Sequence, residues 1–168
     1  WNCVLVKKYI FKFMKLLFIS FIFASAIFLI IDIIWLSFAV KNFYKPNIGP
    51  LLNDKPVMWA AILFYLIYVV GLTLVVLQPA LANKSVFQAF WMGIVFGVVA
   101  YGTYNLTNMA TIKNWSVNVV IVDMVWGGIL TGVAAGMSLY ITNYFFHIFY
   151  SIKRRNKTED GKFFFIFN

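Results

Sequence analysis

The sequence predicts an all-α membrane protein, built as a compact bundle of four transmembrane helices. Of the 168 residues, 63% are hydrophobic and only 11% are charged, whereas a soluble domain is typically about 25% charged. Four apolar stretches also reach the roughly 20 residues that a helix needs to cross the hydrocarbon core of a bilayer. These predicted spans cover residues 16–38, 57–77, 87–108 and 117–140.

The positive charges predict the orientation of the bundle. The net charge is +9, but the lysines and arginines cluster at the chain ends and in short loops. This distribution is typical of topology signals, so we expect membrane lipid and not nucleic acid as the partner. With the N-terminus inside, ten lysines and arginines are cytoplasmic and four are outside, namely Lys41, Lys45, Lys55 and Lys113. Both termini are therefore predicted to be cytoplasmic.

The two ends of the chain fall outside the predicted domain, residues 14–140. Met14 begins the stretch M-K-L-L-F, a plausible natural start, so residues 1–13 are interpreted as a possible non-native extension. Residues 141–168 are interpreted as an interfacial and basic cytoplasmic tail, whose first part either lies in the interface or extends the fourth span. The only cysteine is Cys3 and the only histidine is His147, so we expect no disulfide, metal or cofactor.

Proline and glycine mark features of the later spans. The second span is predicted to begin after Pro56, because proline is tolerated in the first turn of a helix. It is predicted to end at Gln78-Pro79, because proline interrupts a helix that would continue through it. In the third and fourth spans, small residues recur every four positions, a spacing that lets membrane helices approach closely. We expect the third and fourth spans to pack tightly through Gly93, Gly97, Gly128, Gly132 and Gly136.

Two aspartates lie inside apolar stretches, and each has a tryptophan three residues later: Asp32 with Trp35, and Asp123 with Trp126. An ionised side chain at the centre of a membrane helix costs roughly 2.5–3.5 kcal/mol on insertion scales and usually marks a polar interior site. Each aspartate is six residues from the outer end of its predicted span, or roughly 9 Å along the helix. The two Asp-x-x-Trp units should therefore lie level in the outer leaflet.

The second and third spans contribute further polar side chains at the same level. Since polar groups in hydrocarbon need partners, these residues should face one another and not the lipid. The predicted polar pocket consists of Asp32, Trp35, Tyr65, Tyr68, Tyr101, Tyr104, Asn105, Asn108, Asp123 and Trp126.

Six pieces of the chain carry a resemblance to a known family: D-I-I-W at 32–35, F-Y at 43–44, F-Y-L-I-Y-V-V-G at 64–71, Q-P at 78–79, Y-G-T-Y-N-L-T-N-M-A-T at 101–111 with Trp115, and D-M-V-W-G at 123–127. Through these pieces, from about residue 14 to residue 140, the chain resembles a bacterial family of predicted membrane proteins, domain of unknown function 2177. The resemblance implies four helical spans in a bacterial inner membrane and supplies no established reaction. It also implies an acidic residue where this chain has Asn105.

Three classes of function remain open from the sequence. The favoured one is binding or transport of a proton, a cation or a small polar molecule, since two neighbouring carboxylates can share a proton. A larger transport pathway would require a homodimer. The second is a membrane-embedded enzyme, or an accessory protein of lipid modification, with the carboxylates as general acid and base. We leave enzymatic activity uncertain and less favoured, because no Ser–His pair or nucleotide-binding loop is present.

In the third class, the polar residues only hold the helices together. Hydrogen bonds between membrane helices average about 0.6 kcal/mol, which is less than the insertion cost of an ionised aspartate. A purely structural role therefore accounts better for the asparagines and tyrosines than for the aspartates.

Overall fold

The computed structural model describes the backbone of residues 2–166 and the side chains of residues 4–146. The side chains of the basic run at residues 153–157 therefore lie outside the described residues. The chain forms four long helices: α1 (Asn2–Ala39), α2 (Met58–Leu72), α3 (Val86–Thr111) and α4 (Val117–Ile166). Each helix, taken with its continuation, contains a segment long and apolar enough to cross a membrane. The predicted fold class, an all-α bundle with four membrane helices, is confirmed. The cytoplasmic location of the termini stays a prediction.

Helix α1 does not end at residue 38, where the predicted first span stops. It continues through a π-helical turn (Val40–Tyr44), a short α-helix (Lys45–Ile48) and a 3₁₀ turn (Gly49–Leu51). The Lys45 N–H donates to the carbonyl of Val40, five residues back. Such a widened turn makes room for the ring of Pro46, which has no N–H of its own to donate.

Helix α2 also continues past a proline through a π-helical turn. A π-helical turn (Thr73–Leu77) leads into a short α-helix (Gln78–Ala82) with Pro79 in its first turn. Because the Gln78 N–H donates to the Thr73 carbonyl, the helix passes Gln78-Pro79, where the predicted second span ends. The chain then turns into α3 at Ser85, whose side chain caps the helix by accepting from the Gln88 N–H at 3.1 Å.

The most extensive helix contact is between α3 and α4, and glycine makes it possible. A Cβ atom on Gly93 would lie 2.8 Å from the Thr131 carbonyl oxygen, and one on Gly97 would collide with the carbonyl group of Gly127. From α4, Gly128 faces Val98, Gly132 faces Ile94 and Gly136 faces Phe90. All five glycines that the sequence suggested for packing therefore lie in this contact.

An apolar core fills the part of the bundle nearer the termini. It joins Ala24 of α1, Leu72 of α2, Ala89 of α3 and Leu139 of α4, all fully buried. One polar pair lies beside it: the Ser20 hydroxyl donates to the Thr142 hydroxyl at 3.0 Å. This core fixes the helices at one end and leaves the polar residues to gather at the other.

Large apolar side chains are exposed on every helix, for example Ile33, Ile67, Val95 and Ile121. Such faces would be unfavourable in water, but they match the hydrocarbon of a bilayer. The burial pattern thus agrees with the composition in pointing to lipid as the main solvent.

We expect Gly97→Ala to lower the free energy of unfolding by about 2 kcal/mol or more, because an overpacked contact must move backbone and not a flexible side chain. Gly49→Ala is the matched control, since a Cβ there meets nothing within 4 Å, and its effect should stay below about 0.5 kcal/mol. Chemical unfolding of both variants in detergent measures the difference. Equal stability of the two variants would contradict the packing described for α3 and α4.

Candidate functional site

The polar residues gather at the end of the bundle opposite the chain termini. This end, the site end, is formed by the C-terminal part of α1 with its continuation to Leu51, the start of α2, the C-terminal part of α3 and the start of α4. The antiparallel course of successive helices brings these four stretches together. Asp32 on α1 and Asp123 on α4 are both buried there, with 5% and 6% of their surfaces exposed.

Asp32 accepts hydrogen bonds from two other helices. The Tyr65 hydroxyl on α2 donates to Oδ2 at 2.6 Å, and the Trp126 indole N–H on α4 donates to Oδ1 at 3.2 Å. This carboxylate thus joins α1, α2 and α4 at one point. Because each oxygen has two lone pairs, each keeps one that these donors do not use.

Asp123 also accepts two hydrogen bonds. The Tyr44 hydroxyl donates to Oδ1 at 2.5 Å, and the Asn105 amide on α3 donates to Oδ2 at 3.0 Å. Tyr44 in turn accepts from the Trp35 indole N–H at 3.4 Å. Since an indole can only donate, the Tyr44 hydroxyl hydrogen is free to point at Asp123.

The orientation of Asn105 follows from the same reasoning. The Trp115 indole N–H donates to Asn105 Oδ1 at 3.3 Å, which directs the amide nitrogen toward Asp123 and toward the Tyr101 carbonyl. The amide is completely buried. Two chains of hydrogen bonds therefore end at Asp123, one from Trp115 through Asn105 and the other from Trp35 through Tyr44.

The two Asp-x-x-Trp units are crossed. Asp32 accepts from Trp126, the tryptophan of the other unit, and the rings of Trp35 and Trp126 stack with centroids 4.4 Å apart and planes 18° from parallel. No hydrogen bond joins Asp32 directly to Asp123 within the described residues. The stacked indoles instead link them, because Trp126 donates to Asp32 and Trp35 donates to Tyr44, which donates to Asp123. The two carboxylates remain within electrostatic range of each other.

Six of the ten residues proposed for the pocket belong to this network: Asp32, Trp35, Tyr65, Asn105, Asp123 and Trp126.

The other four residues proposed for the pocket have different surroundings. The Tyr68 hydroxyl is hydrogen-bonded to Thr131 at 2.7 Å. Tyr101 packs its ring against Gly127, and its hydroxyl is within electrostatic range of both aspartates but forms no hydrogen bond with a described residue. Tyr104 is 57% exposed, and Asn108 forms no hydrogen bond with either carboxylate in the described part of the chain.

Sequence reasoning missed two members of the network, Tyr44 and Trp115. The predicted first span stops at residue 38 and leaves Tyr44 outside it. In the structure, the helix continues through a π-helical turn, and the Tyr44 hydroxyl reaches Asp123. Trp115 lies near the end of a predicted span, where an interfacial aromatic is expected, and the sequence gives no sign that its indole reaches Asn105. The available signal for both residues was that they belonged to the pieces of sequence that carried the resemblance.

Neutral groups alone hold the two carboxylates. Tyr44, Tyr65, Asn105 and Trp126 are the donors, and no lysine or arginine side chain of the described residues forms an ion pair with Asp32 or Asp123. The described residues also contain no group of three histidine, cysteine, aspartate or glutamate side chains that could hold a metal ion. The site thus concentrates acceptors for positive charge and provides no cationic side chain of its own.

A family model matches most of the chain. The family described as "Predicted membrane protein (DUF2177)" matches residues 17–140, which include α2, α3 and both Asp-x-x-Trp units. No curated protein and no solved structure was found to match the chain.

We expect Tyr44→Phe to lower the free energy of unfolding by about 1–3 kcal/mol, since it leaves the Trp35 indole without its acceptor and Asp123 with a single donor. Tyr140→Phe is the control, because that residue is exposed on α4, and it should change stability by less than about 0.5 kcal/mol. Thermal unfolding followed by circular dichroism compares the two. A Tyr44→Phe protein as stable as the control would show that the network adds nothing to the fold.

We also expect the stacked indoles to give a coupled near-ultraviolet circular dichroism signal, since their rings are parallel and close. Trp35→Phe and Trp126→Phe should each abolish the whole coupled signal and not half of it. Trp91→Phe should leave it intact, because Trp91 contacts only Phe87 and Phe90 among the described rings. A spectrum that falls by equal steps in all three variants would contradict the stacking.

Proposed function

The chain belongs to the DUF2177 family of predicted membrane proteins, and we propose that its function is proton-coupled transport of a small solute, in which Asp32 and Asp123 take up and release protons. The observation that carries this proposal is the pair of buried carboxylates held only by neutral donors. An ionised carboxylate buried without a counter-charge is costly. A proton neutralises the carboxylate and so removes that cost.

A proton fits this pair better than a metal ion does. Calcium takes six to eight oxygen ligands and magnesium requires six in near-octahedral geometry, and the described residues bring no third carboxylate to the site. A proton needs one free lone pair, and each of the four carboxylate oxygens keeps one. The two aspartates are also within electrostatic range, so the charge state of one affects proton uptake by the other.

The tyrosines offer a route for protons. A phenol hydroxyl both donates and accepts, so it can pass a proton between a neighbour and a carboxylate. Tyr65 is half-buried and bonded to Asp32, and Tyr44 is half-buried and bonded to Asp123. Each aspartate thus has one hydroxyl between itself and the surroundings of the bundle.

We expect infrared difference spectra between low and high pH to contain the carbonyl band of two buried carboxyl groups. Asp32→Asn and Asp123→Asn should each remove one band, because an amide keeps the shape of the side chain and cannot titrate. Both variants should also reduce solute-dependent proton flux in liposomes to the level of empty vesicles. Asp54→Asn is the matched control, since Asp54 is exposed in the loop before α2, and it should change neither the buried bands nor the flux.

The outcomes separate the proposal from a purely structural role. Variants that keep their helical spectrum and lose the bands and the flux support proton coupling. Spectra without a buried carboxyl band at any pH, from wild-type protein that is folded, would overturn it. Normal flux in both aspartate variants would overturn it as well.

A further inference from the structure

Helix α2 and its continuation are packed very differently along their length. We name residues 58–71 the outer arm. This stretch is largely exposed, and only Tyr68 and Val69 within it are buried. The part that follows, residues 72–82, is packed more tightly, although Leu74 and Val75 remain exposed. Its buried residues are Leu72, Thr73, Val76, Leu77, Ala80 and Leu81.

The boundary between these two parts coincides with the π-helical turn at Thr73–Leu77 and with Pro79 just beyond it. A π-turn interrupts the regular i→i−4 hydrogen-bond ladder, and proline removes one of its donors, so helices bend most readily at such points. The loosely packed arm is therefore joined to the firmly packed base at the natural bending point of the helix.

The polar and aromatic contacts that hold the outer arm to the bundle lie in its second half. Tyr65 donates its hydroxyl to Asp32 at 2.6 Å, and Tyr68 is hydrogen-bonded to Thr131 at 2.7 Å. The rings of both tyrosines also contact Phe28 on α1, and the Tyr68 ring contacts Phe96 and Tyr101 on α3 as well. Before Tyr65 on α2, the side chains are exposed except for the half-buried Ala61. The Tyr65–Asp32 hydrogen bond is thus the side-chain hydrogen bond closest to the start of the arm, where the loop at residues 52–57 joins it to the continuation of α1.

We propose that the outer arm is a hinged gate over the proton site, with the Tyr65–Asp32 hydrogen bond as its latch. This inference rests on the proposed function, because it makes Asp32 both a proton acceptor and the anchor of the gate. Hydrogen bonds to an ionised acceptor are roughly twice as strong as those between neutral groups. Protonation of Asp32 therefore weakens the latch, and the arm swings outward about the π-helical turn.

Few titratable groups other than Asp32 could make the position of the arm depend on pH. Those within electrostatic range are Tyr44 on the continuation of α1, Tyr65 and Tyr68 on α2, Tyr101 on α3 and Asp123 on α4. Tyrosines titrate far above neutral pH, so Asp123 is the other group to control. It contacts α3 and the continuation of α1 but forms no hydrogen bond with α2.

Spin-label distances between α2 and α4 test the gate in the full-length protein in liposomes, after Cys3→Ser removes the native thiol. One pair of labels, at Ile62→Cys and Ile121→Cys, reports on the outer arm. The other pair, at Ala82→Cys and Met137→Cys, reports on the base. All four positions are exposed. The arm is 14 residues long (58 to 71), about 21 Å, so a swing of about 10° moves its tip by roughly 4 Å.

We expect Tyr65→Phe to lengthen and broaden the arm distance by about that amount and to leave the base distance unchanged. Tyr140→Phe should change neither distance. Acidification should lengthen the arm distance in the wild type and in Asp123→Asn, but not in Asp32→Asn, where the latch no longer titrates. An arm distance that Tyr65→Phe leaves unchanged would overturn the gate. A shift of both pairs together would also overturn it, because that result indicates general loosening without a hinge.

The two proposals fail in different ways. If the buried carboxyl bands titrate but the arm never moves, the proton site stands and the gate is wrong. If Tyr65→Phe releases the arm but no carboxyl band appears in the wild type, the hinge exists without the proton control proposed for it. In that case the proposed function is wrong, and acidification should leave the arm distance unchanged.

Discussion

The close approach of α3 and α4 is the constraint on which the rest of the site depends. Because Gly93 and Gly97 have no side chain, the two backbones come near enough for the Asn105 amide to reach Asp123 across the helix interface. A wider spacing would leave the amide and the carboxylate apart and would also withdraw Trp126, on the next turn of α4, from Asp32. Backbone packing in one part of the bundle thus determines the electrostatics of another.

The general plan of the protein could be predicted from the sequence because it depends on regular periods and on the cost of burying charge. Apolar runs of membrane length indicated four helices, and the cost of a carboxylate in hydrocarbon singled out Asp32 and Asp123. The crossing of the two Asp-x-x-Trp units could not be predicted in this way. Spacing along one helix says which face a side chain occupies, but not which partner on another helix it meets.

The third helix shows where periodicity loses resolution. At 100° per residue, Tyr101, Tyr104, Asn105 and Asn108 occupy an arc of roughly 100°, which was read as a single polar face. Asn105 and Tyr104 stand at opposite edges of that arc, and the first is fully buried while the second is 57% exposed. The position of Tyr44 in the network could not be predicted for another reason. A π-helical turn adds a residue that no hydropathy pattern reports, and it shifts everything that follows around the helix axis.

The crossed arrangement of the aspartates and tryptophans has a consequence for the biogenesis of the protein. Asp32 lies 94 residues before Trp126, its partner, so the first helix leaves the ribosome long before the fourth. Until that last helix arrives, the first carries a carboxylate that lacks one of its two donors, and the stacked indoles cannot form. Completion of the site is therefore coupled to the insertion of the final helix. A chain interrupted before that helix would leave Asp32 with Tyr65 as its one donor.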